Sequence, residues 1–325
     1  MAVYTHIDTR ALAGFLQQYA LAPIDRYRGI DQGISNTNYQ LFFKDNSRLI
    51  LTLYEHERRI AVRDIPFFLD LMRHLSRHGI PCPVPITTRQ GETHAHLCGK
   101  HAALTSFLDG HPITHVTERH CWDIGYHLAC LHNVGMSFTQ QRHNPFSLQG
   151  WRALRETLDP STPHIPMIDE TLTIWEQRHD DIIALPQGII HGDIFPDNVF
   201  FQRDKLSGII DFYFACTDSL AYDIAIAINA WCFPSPQDMP QDMNVRYVAC
   251  LLNGYEQQRP LQDKEKHAMP LLCQGAALSF LLSRLIDEQQ FDTPLPHKNP
   301  QEYADKLSYH RQNPHPLSIT HQSTL

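Results

Sequence analysis

The first third of the chain mixes helical and strand-like spacing of its apolar residues. Within 6–19 the apolar residues share one helical face, and Asp8 can cap the start of that helix. The runs 27–45 and 47–55 are rich in apolar residues, and the turn signal at 44–47 separates them. This pattern predicts a short helix followed by antiparallel strands.

A second helix and two further strands complete this first region. Residues 63–79 predict a helix with Pro66 in its first turn and Gly79 at its end. The proline-rich segment 81–85 is expected to be an extended link. Residues 92–108 predict two strands around a Gly-Lys turn.

The remainder of the chain favours helices. Helical spacing is found at 117–135, 147–158 and 166–184, and three or more helices are expected near the C-terminus. The tail from about residue 292 is rich in Pro, His, Gln and Ser, so we expect it to extend over the surface. The prediction is an α+β protein with a sheet-rich part at 1–107 and a mainly helical part at 108–325, joined by a hinge near 106–110.

Composition narrows the class of protein. The 325 residues are 42% hydrophobic and 19% charged, with a formal charge of −8. This balance argues against nucleic acid or an anionic membrane as the main partner, although a local basic site for a small anion stays open. The longest apolar run, 271–287, is interrupted by Gln274 and Arg284, so it predicts a buried amphipathic helix rather than a membrane span.

Cysteine and histidine usage points to an ordinary intracellular protein. Eight cysteines occur without a C-x-x-C pair, and no secretory signal is expected at the N-terminus. The 21 histidines lack the ligand spacing of a zinc finger or an H-E-x-x-H site. We therefore expect reduced thiols, a cytoplasmic location and no histidine-based metal centre.

A polar cluster interrupts apolar residues in IIHGDIFPDNVFF, residues 189–201, and SGIID at 207–211 ends on a second carboxylate. Buried carboxylates cost free energy unless something compensates them. A hairpin between the two segments would bring Asn198 and Asp211 side by side, where their oxygens suit Mg²⁺.

Asp193 would then be free to accept a proton from a hydroxyl group. This is the layout of phosphoryl transfer from ATP, with one carboxylate for the alcohol and an Asn–Asp pair for the metal. The alternative is a plain hairpin in which Asp, Gly and Asn serve only the turn. Asp197 is open between a turn residue and a functional one.

These residues carry a resemblance to a known family. HGDxxxxN followed by IIDF resembles the aminoglycoside phosphotransferase and choline kinase family, relatives of the protein kinases. Flanking segments in order from about 30 to 286, such as GIPCPVPI and YDIAIAINAWCF, resemble its homoserine kinase branch. The resemblance implies a two-lobed protein-kinase-like fold, ATP and Mg²⁺ as cofactors, and L-homoserine as the phosphate acceptor in threonine biosynthesis.

The resemblance also implies roles for individual residues. Asp193 would be the catalytic base, His191 would orient its loop, and Asn198 and Asp211 would bind Mg²⁺. The phosphate-covering hairpin would use Gly33, Ser35, Asn36 and Thr37. The adenine would lie against the backbone from Ser106 to Leu108.

One position departs from the kinase pattern. Thr52 stands where kinases place a strand lysine, as in the homoserine kinase branch. Loss of that lysine removes a charge-assisted contact to phosphates. Arg48 lies too far along the strand to replace it, and the acid partner of the lysine would correspond to Asp64. This departure keeps a nucleotide-binding pseudokinase open as an alternative.

The residues that would bind the acceptor follow from the charges of the acceptor. Homoserine is a zwitterion, so its carboxylate requires a cation. Arg284, among apolar residues, is either paired structurally or directed to the site; Tyr213, Asn229 and Trp231 are further candidates. Choline would require an aromatic cage and an aminoglycoside an acidic pocket, and both stay open as alternative acceptors.

Overall fold

The computed structural model describes residues 3–31, 36–55, 61–234, 242–290 and 299–314. These residues divide into two compact units. The described parts of 1–111, 200–202 and 207–213 make up unit 1, and the described parts of 112–199, 203–206 and 214–325 make up unit 2.

Unit 1 is built on an antiparallel sheet with two helices. Its strands are β1 (Ile24–Gly29), β2 (Thr37–Phe43), β3 (Arg48–Leu53), β4 (Pro85–Ile86), β5 (Ala95–Leu97) and β6 (Lys100–Ser106). They are ordered β1-β2-β3-β6-β4, and β5 pairs with β6. The helices are α1 (Thr9–Leu16) and α2 (Ile65–Arg77). Asp8 caps α1 by accepting a hydrogen bond from the Ala11 backbone, as predicted.

Alternation along the strands places one sheet face in a hydrophobic core. Leu49, Leu51 and Leu53 of β3 pack with apolar residues of β2, β6 and α1. Thr52, between two of these leucines, must therefore point to the opposite face, because successive strand side chains alternate. The extended link predicted at 81–85 leads into β4, which begins at Pro85 and pairs with β6.

Unit 2 is mainly helical. Its helices are α3 (Glu118–Gly135), α4 (Leu148–Thr157), α5 (Ile165–Gln177), α6 (His179–Ile183), α7 (Leu220–Trp231), α8 (Val245–Glu256), α9 (Asp263–Gln290) and α10 (Pro300–Gln312). A strand pair, β7 (Gln187–Ile190) with β10 (Cys216–Ser219), belongs to this unit. The predicted hairpin forms from β8 (Val199–Gln202) and β9 (Lys205–Ile209), whose residues are shared between the units. The expected α+β class, with an N-terminal antiparallel sheet and a larger helical part, is confirmed.

The structure corrects the prediction for the C-terminal tail. The expected extended tail is wrong at Pro300–Gln312, which form α10. Asn299 caps this helix by accepting from the Gln301 backbone, and Tyr303 and Leu307 are fully buried. Composition suggested an exposed tail, but this i, i+4 apolar pair buries one helical face within unit 2, mainly against α9.

Two other local predictions also differ from the structure. The single helix expected at 166–184 is divided at Arg178, whose φ and ψ are −110° and 10°, into α5 and α6. Strand β10 was not predicted, because its sequence CTDS has no apolar alternation and it exists only by pairing with β7. By length and composition, Asp263–Gln289 in α9 could cross a membrane, but 78% of its most apolar stretch is buried inside the protein. It is a core helix, as the sequence predicted.

Candidate active site

The loop from His191 to Asn198 joins β7 to β8 in unit 2. Pro196–Asn198 form a 3₁₀ turn that leads directly into β8. Within it, His191 is fully buried and Asn198 is 9% exposed. The apolar residues on both sides anchor the loop, and the polar residues between them must find partners within the protein.

Asp223 of α7 holds the start of this loop. Its carboxylate accepts hydrogen bonds from the backbone N–H of His191 at 2.7 Å and of Gly192 at 3.0 Å. Nε2 of His132, on α3, lies 3.1 Å from the same carboxylate. Burial alone would raise the pKa of Asp223, but the hydrogen bond and the charge of His132, with smaller contributions from the loop, lower it. The carboxylate is therefore ionised when it holds the loop.

The loop backbone is held at two further points. The His191 ring accepts a hydrogen bond at Nδ1 from the Asp193 backbone N–H, at 3.2 Å. The Trp231 indole N–H donates to the Ile194 carbonyl at 2.6 Å. Gly192 has a φ of +77°, and a Cβ there would lie 2.9 Å from the Phe214 carbonyl oxygen. The chain thus requires glycine immediately before Asp193.

Asn198 is oriented by Asp193. Its Nδ2 donates to the Asp193 backbone oxygen and to Oδ2 of the Asp193 carboxylate, both at 2.9 Å. The amide oxygen Oδ1 accepts no hydrogen bond from any residue that the structure describes. An uncommitted amide oxygen beside a carboxylate is the type of donor that Mg²⁺ prefers. The donor chemistry of this segment therefore fits that metal.

Asp211, the other predicted metal ligand, lies in unit 1 just after β9. Its φ of +63° is in the left-handed region, which Asp and Asn tolerate better than most residues. Burial raises the pKa of the Tyr54 and Tyr213 hydroxyls, and the nearby charge of Asp211 adds a smaller contribution in the same direction. In the ranges the structure describes, no three His, Cys, Asp or Glu side chains converge as a metal-binding group.

Tyr213, a predicted acceptor residue, is also in unit 1. Its hydroxyl lies 3.3 Å from that of Tyr54, and its ring meets Phe68 edge-on. Burial raises the pKa of Tyr213 to about 12. Thr52 Oγ1 donates to Asn38 Oδ1 at 2.7 Å, and its hydroxyl slightly counteracts the raised pKa of Tyr213. Thr52 therefore lies in a neutral hydrogen-bond chain where a kinase would have a charged lysine.

Two of the predicted phosphate-binding residues can be placed, and two cannot. Gly33 and Ser35 lie outside the described residues. The Thr37 hydroxyl donates to Glu55 at 2.6 Å and accepts from two backbone N–H groups of the N-terminal segment. Asn36 accepts from the Glu55 backbone at 3.4 Å. Any phosphate contact by Thr37 must therefore replace one of these bonds.

The predicted adenine-binding segment begins at the end of β6. Ser106 Oγ accepts from the Val84 backbone at 2.9 Å, so this segment is tied to the chain next to β4. Beside it, unit 1 contains a cavity of about 400 Å³. Its lining includes Phe107, Asp109 and three arginines, Arg26, Arg28 and Arg48. Arg48 pairs with Asp109 at 2.8 Å.

The other predicted acceptor residues lie in unit 2. Asn229 and Trp231 are fully buried. Asn229 donates to the Cys273 carbonyl at 2.9 Å and contacts His310, and Trp231 binds the loop as described above. Arg284 uses Nη1 for the Asn299 carbonyl and for Glu302, at 2.8 and 2.6 Å. Arg284 is thus paired, as expected for a buried arginine.

Sequence reasoning missed the residue that supports the His191–Asn198 loop and an ion pair next to strands β3 and β6. Asp223 has the clearest signal, because it is the only acidic residue in the apolar run of α7. The second missed feature is a 3.6 Å ion pair between Lys100 and Glu55 in unit 1. These residues face each other only because β6 pairs with β3, so no local pattern identifies them.

Comparisons with known proteins agree with this arrangement. A sequence model of the phosphotransferase enzyme family matches residues 26–261. A homoserine kinase from Granulibacter bethesdensis is 43% identical over 97% of this chain and 98% of its own. One from Brucella anthropi is 43% identical over 96% and 95%.

Solved structures show the kinase-like fold. An amicoumacin kinase in complex with AMP-PNP and Ca²⁺ has a TM-score of 0.73 at 17% identity and covers 96% of this chain and 95% of its own. The choline kinase of Streptococcus pneumoniae has a TM-score of 0.65 at 14% identity over 93% and 98%. At these identities the similarity establishes the fold, and the expected protein-kinase-like architecture is confirmed.

Proposed function

We propose that this chain, which belongs to the phosphotransferase enzyme family, transfers the γ-phosphoryl group of ATP to the hydroxyl of L-homoserine. The product would be O-phospho-L-homoserine, on the route to threonine. One observation carries the proposal: a relative named homoserine kinase matches 97% of this chain and 98% of its own length at 43% identity. Such similarity includes the acceptor-binding region as well as the family motif.

The loop in unit 2 would supply the base. Asp193 would orient the acceptor hydroxyl and accept its proton as the phosphoryl group is transferred. The bonds from Asp223, His191 and Trp231 hold the backbone around Asp193, so the carboxylate is positioned before substrate binds. Such positioning supports catalysis because the Asp193 carboxylate needs little rearrangement to reach the geometry of the reaction.

We propose Asn198 and Asp211 as the ligands of Mg²⁺. When bound, the metal would neutralise charge on the β and γ phosphate oxygens of ATP. Asn198 can offer Oδ1 because its Nδ2 is turned to Asp193. Asp211 supplies a carboxylate at the end of the hairpin.

On the nucleotide side, we propose that residues 1–107 bind ATP and 108–325 carry the catalytic and acceptor-binding groups. The adenine would lie against Ser106–Leu108, next to the unit 1 cavity. We keep as a prediction that the phosphates contact Gly33, Ser35, Asn36 and Thr37. We also propose that Thr52 replaces the strand lysine. The neutral bonds of Thr52 imply weaker phosphate binding than a lysine provides.

The acceptor side rests mainly on Arg284. The polar atoms of Asn229 and Trp231 form hydrogen bonds to backbone carbonyls within unit 2. We therefore propose that these residues support the acceptor site without contacting the acceptor. Tyr213 stays a candidate at the edge of unit 1. We propose that the enzyme acts on a small molecule, with neither nucleic acid nor a membrane as partner. The eight free cysteines agree with a cytoplasmic location.

The test is ATP consumption measured with a panel of acceptors: L-homoserine, choline, ethanolamine and an aminoglycoside. We expect the highest kcat/KM for L-homoserine. Turnover of choline or an aminoglycoside without turnover of homoserine would refute the substrate while leaving the family intact. No turnover of any acceptor, with intact nucleotide binding, would favour the pseudokinase alternative.

The Asp193→Asn variant tests the assignment of the base. We expect it to lose about 10³-fold or more in kcat, because the residue that accepts the proton is gone. Its affinity for Mg-ATP, measured by titration calorimetry, should stay within about threefold of wild type, since Asp193 is not among the proposed metal ligands. Persistent turnover would show that another group is the base.

A further inference from the structure

A group of charged residues on α9 and α10 lies beside the Asp193 loop. We call Arg284, Glu302, Tyr303 and Lys306 the α9–α10 charge cluster. Glu302 bridges its two cations, with 2.6 Å from Oε2 to Arg284 Nη1 and 2.6 Å from Oε1 to Lys306 Nζ. Both cationic side chains are about nine-tenths buried.

The cations also cover the aromatic ring of the cluster. Arg284 Cζ lies 4.4 Å and Lys306 Nζ 4.5 Å from the centroid of the Tyr303 ring. Cation–π contacts of this kind stabilise charge that is removed from water. They orient both cations without neutralising them.

The charges of the four residues do not balance. Arg284 and Lys306 carry two positive charges, and Glu302 carries one negative charge. The two cations lower the pKa of Glu302 despite its burial, so its carboxylate is ionised at neutral pH. Burying a second cation without its own carboxylate costs free energy. Among the residues that the structure describes, Glu302 is the only carboxylate paired with these two cations, so an anionic group of a ligand could pair with the second positive charge.

The Tyr303 hydroxyl also lacks a partner within the described residues. The Tyr303 side chain is fully buried. Burial raises its pKa well above the usual value, so the hydroxyl stays protonated and can donate. A buried donor without an acceptor is uncommon in native proteins, and this one lies beside two buried cations.

The cluster is next to the reacting end of the loop. The ring of Phe195, two residues after Asp193, meets Phe280 of α9 edge-on with centroids 4.8 Å apart and lies tilted against Tyr303 with centroids 6.4 Å apart. The charges of Asp193 and Asp197 act on the Tyr303 hydroxyl. A small acceptor bound here would have a carboxylate base at one end and buried cations at the other.

We propose that the α9–α10 charge cluster binds the carboxylate of the amino-acid acceptor, with Lys306 and Arg284 as its cations and the Tyr303 hydroxyl as a further donor. The inference rests on the proposed function and goes beyond it, because it assigns the residues that select an α-amino acid. The same positive charge would disfavour choline or an aminoglycoside, which bring more positive charge and no carboxylate.

The test compares L-homoserine with 3-amino-1-propanol, which is homoserine without its carboxylate. The affinity of 3-amino-1-propanol is obtained as a substrate or as a competitive inhibitor against homoserine. Wild type should prefer homoserine strongly. In Lys306→Met and Arg284→Met that preference should fall by about 30-fold or more, mainly through the KM for homoserine, as expected when a buried charge pair is lost.

A matched control is Arg155→Met, which removes a two-point ion pair between α4 and Asp169 of α5. It should leave the ratio between the two acceptors unchanged. Thermal melting identifies a variant that fails to fold, and Tyr303→Phe then tests the same site with a smaller change. It should raise the KM for homoserine and leave the affinity for 3-amino-1-propanol unchanged.

Two outcomes would overturn the inference. If both acceptors lose affinity by the same factor in the cluster variants, the cluster only joins α9 to α10. If neither acceptor loses affinity in the cluster variants, the carboxylate binds elsewhere. Failure of the wild type on homoserine, alongside turnover of another acceptor, refutes the proposed function and this inference with it, and is recognised in the wild-type measurement alone.

Discussion

The Asp223 site and the α9–α10 charge cluster are both buried polar regions that contact the Asp193 loop. At the Asp223 site the carboxylate is satisfied by two backbone N–H groups and by His132. In the cluster, two cations share one carboxylate and the Tyr303 hydroxyl has no acceptor within the described chain. One region is complete by itself, and the other is not.

This difference indicates that the Asp223 site supports the Asp193 loop, whereas the α9–α10 charge cluster recognises a ligand. A complete network holds the backbone around Asp193 in one geometry, because every polar atom would lose a partner if the loop moved. An incomplete cluster gains free energy when a ligand supplies the missing partner. We therefore expect changes at Asp223 to affect all acceptors and changes in the cluster to affect their discrimination.

The largest effect is expected for Asp223→Asn. The amide removes the negative charge and directs either an oxygen or an NH₂ group at the two backbone donors. We expect a loss of about 3–5 kcal/mol in the free energy of unfolding, as for other broken buried pairs. We also expect kcat to fall about 100-fold because the loop is misplaced. Urea denaturation and turnover with both acceptors measure these effects, and a change in the acceptor ratio would contradict the assigned role.

Gly192→Ala tests how tightly the loop is held. The positive φ and the close Phe214 carbonyl should together cost about 3 kcal/mol of stability. Gly79→Ala is the control, because its φ is +85° but nothing lies within 4 Å of the added Cβ. It should cost about 1 kcal/mol and leave kcat unchanged. Equal costs in denaturant unfolding would mean that the Phe214 contact does not constrain the loop.

The loss of protein stability in acid tests whether His310 of α10 is kept neutral in the folded protein. Burial and the nearby Lys306 lower the pKa of His310 from 6.5 to about 4. Between these values the unfolded chain binds more protons than the folded one, so stability is lost as pH falls below 6.5. We expect this histidine to contribute about 2 kcal/mol of loss between pH 6.5 and 5.

The His310→Gln variant isolates this contribution. Glutamine does not titrate, so unfolding free energies measured across this pH range should depend less on pH than in wild type. The two curves should converge as pH falls toward 5. Parallel curves would show that His310 does not titrate differently in the folded chain.

Tyr303→Phe should have the smallest effect on stability. Its hydroxyl has no partner among the described residues, so its removal should change the unfolding free energy by about 0.5 kcal/mol or less. The KM for homoserine should still rise about fivefold, the usual weight of one hydrogen bond. A large loss of stability would show that the hydroxyl is already engaged in the folded protein.

Local patterns were sufficient for much of the fold. Strand β3 was predictable from the alternation around Leu49, Leu51 and Leu53, and helix α1 from its apolar face and Asp8. The single helix predicted at 166–184 was wrong, because the break at Arg178 is a backbone conformation with no Gly or Pro to signal it. Helix α10 was missed because polar composition concealed the buried pair Tyr303 and Leu307.

The sequence by itself determined the chemical class of this protein, because Asp193 and Asn198 lie within one short loop and their spacing is a local property. Only the tertiary structure showed that Asp223, 32 residues beyond His191, holds that loop. Only the tertiary structure placed Lys306 and Arg284 on one carboxylate. The physical reason is that charge balance and hydrogen-bond completeness depend on contacts between distant segments, which the spacing of residues along the chain does not contain.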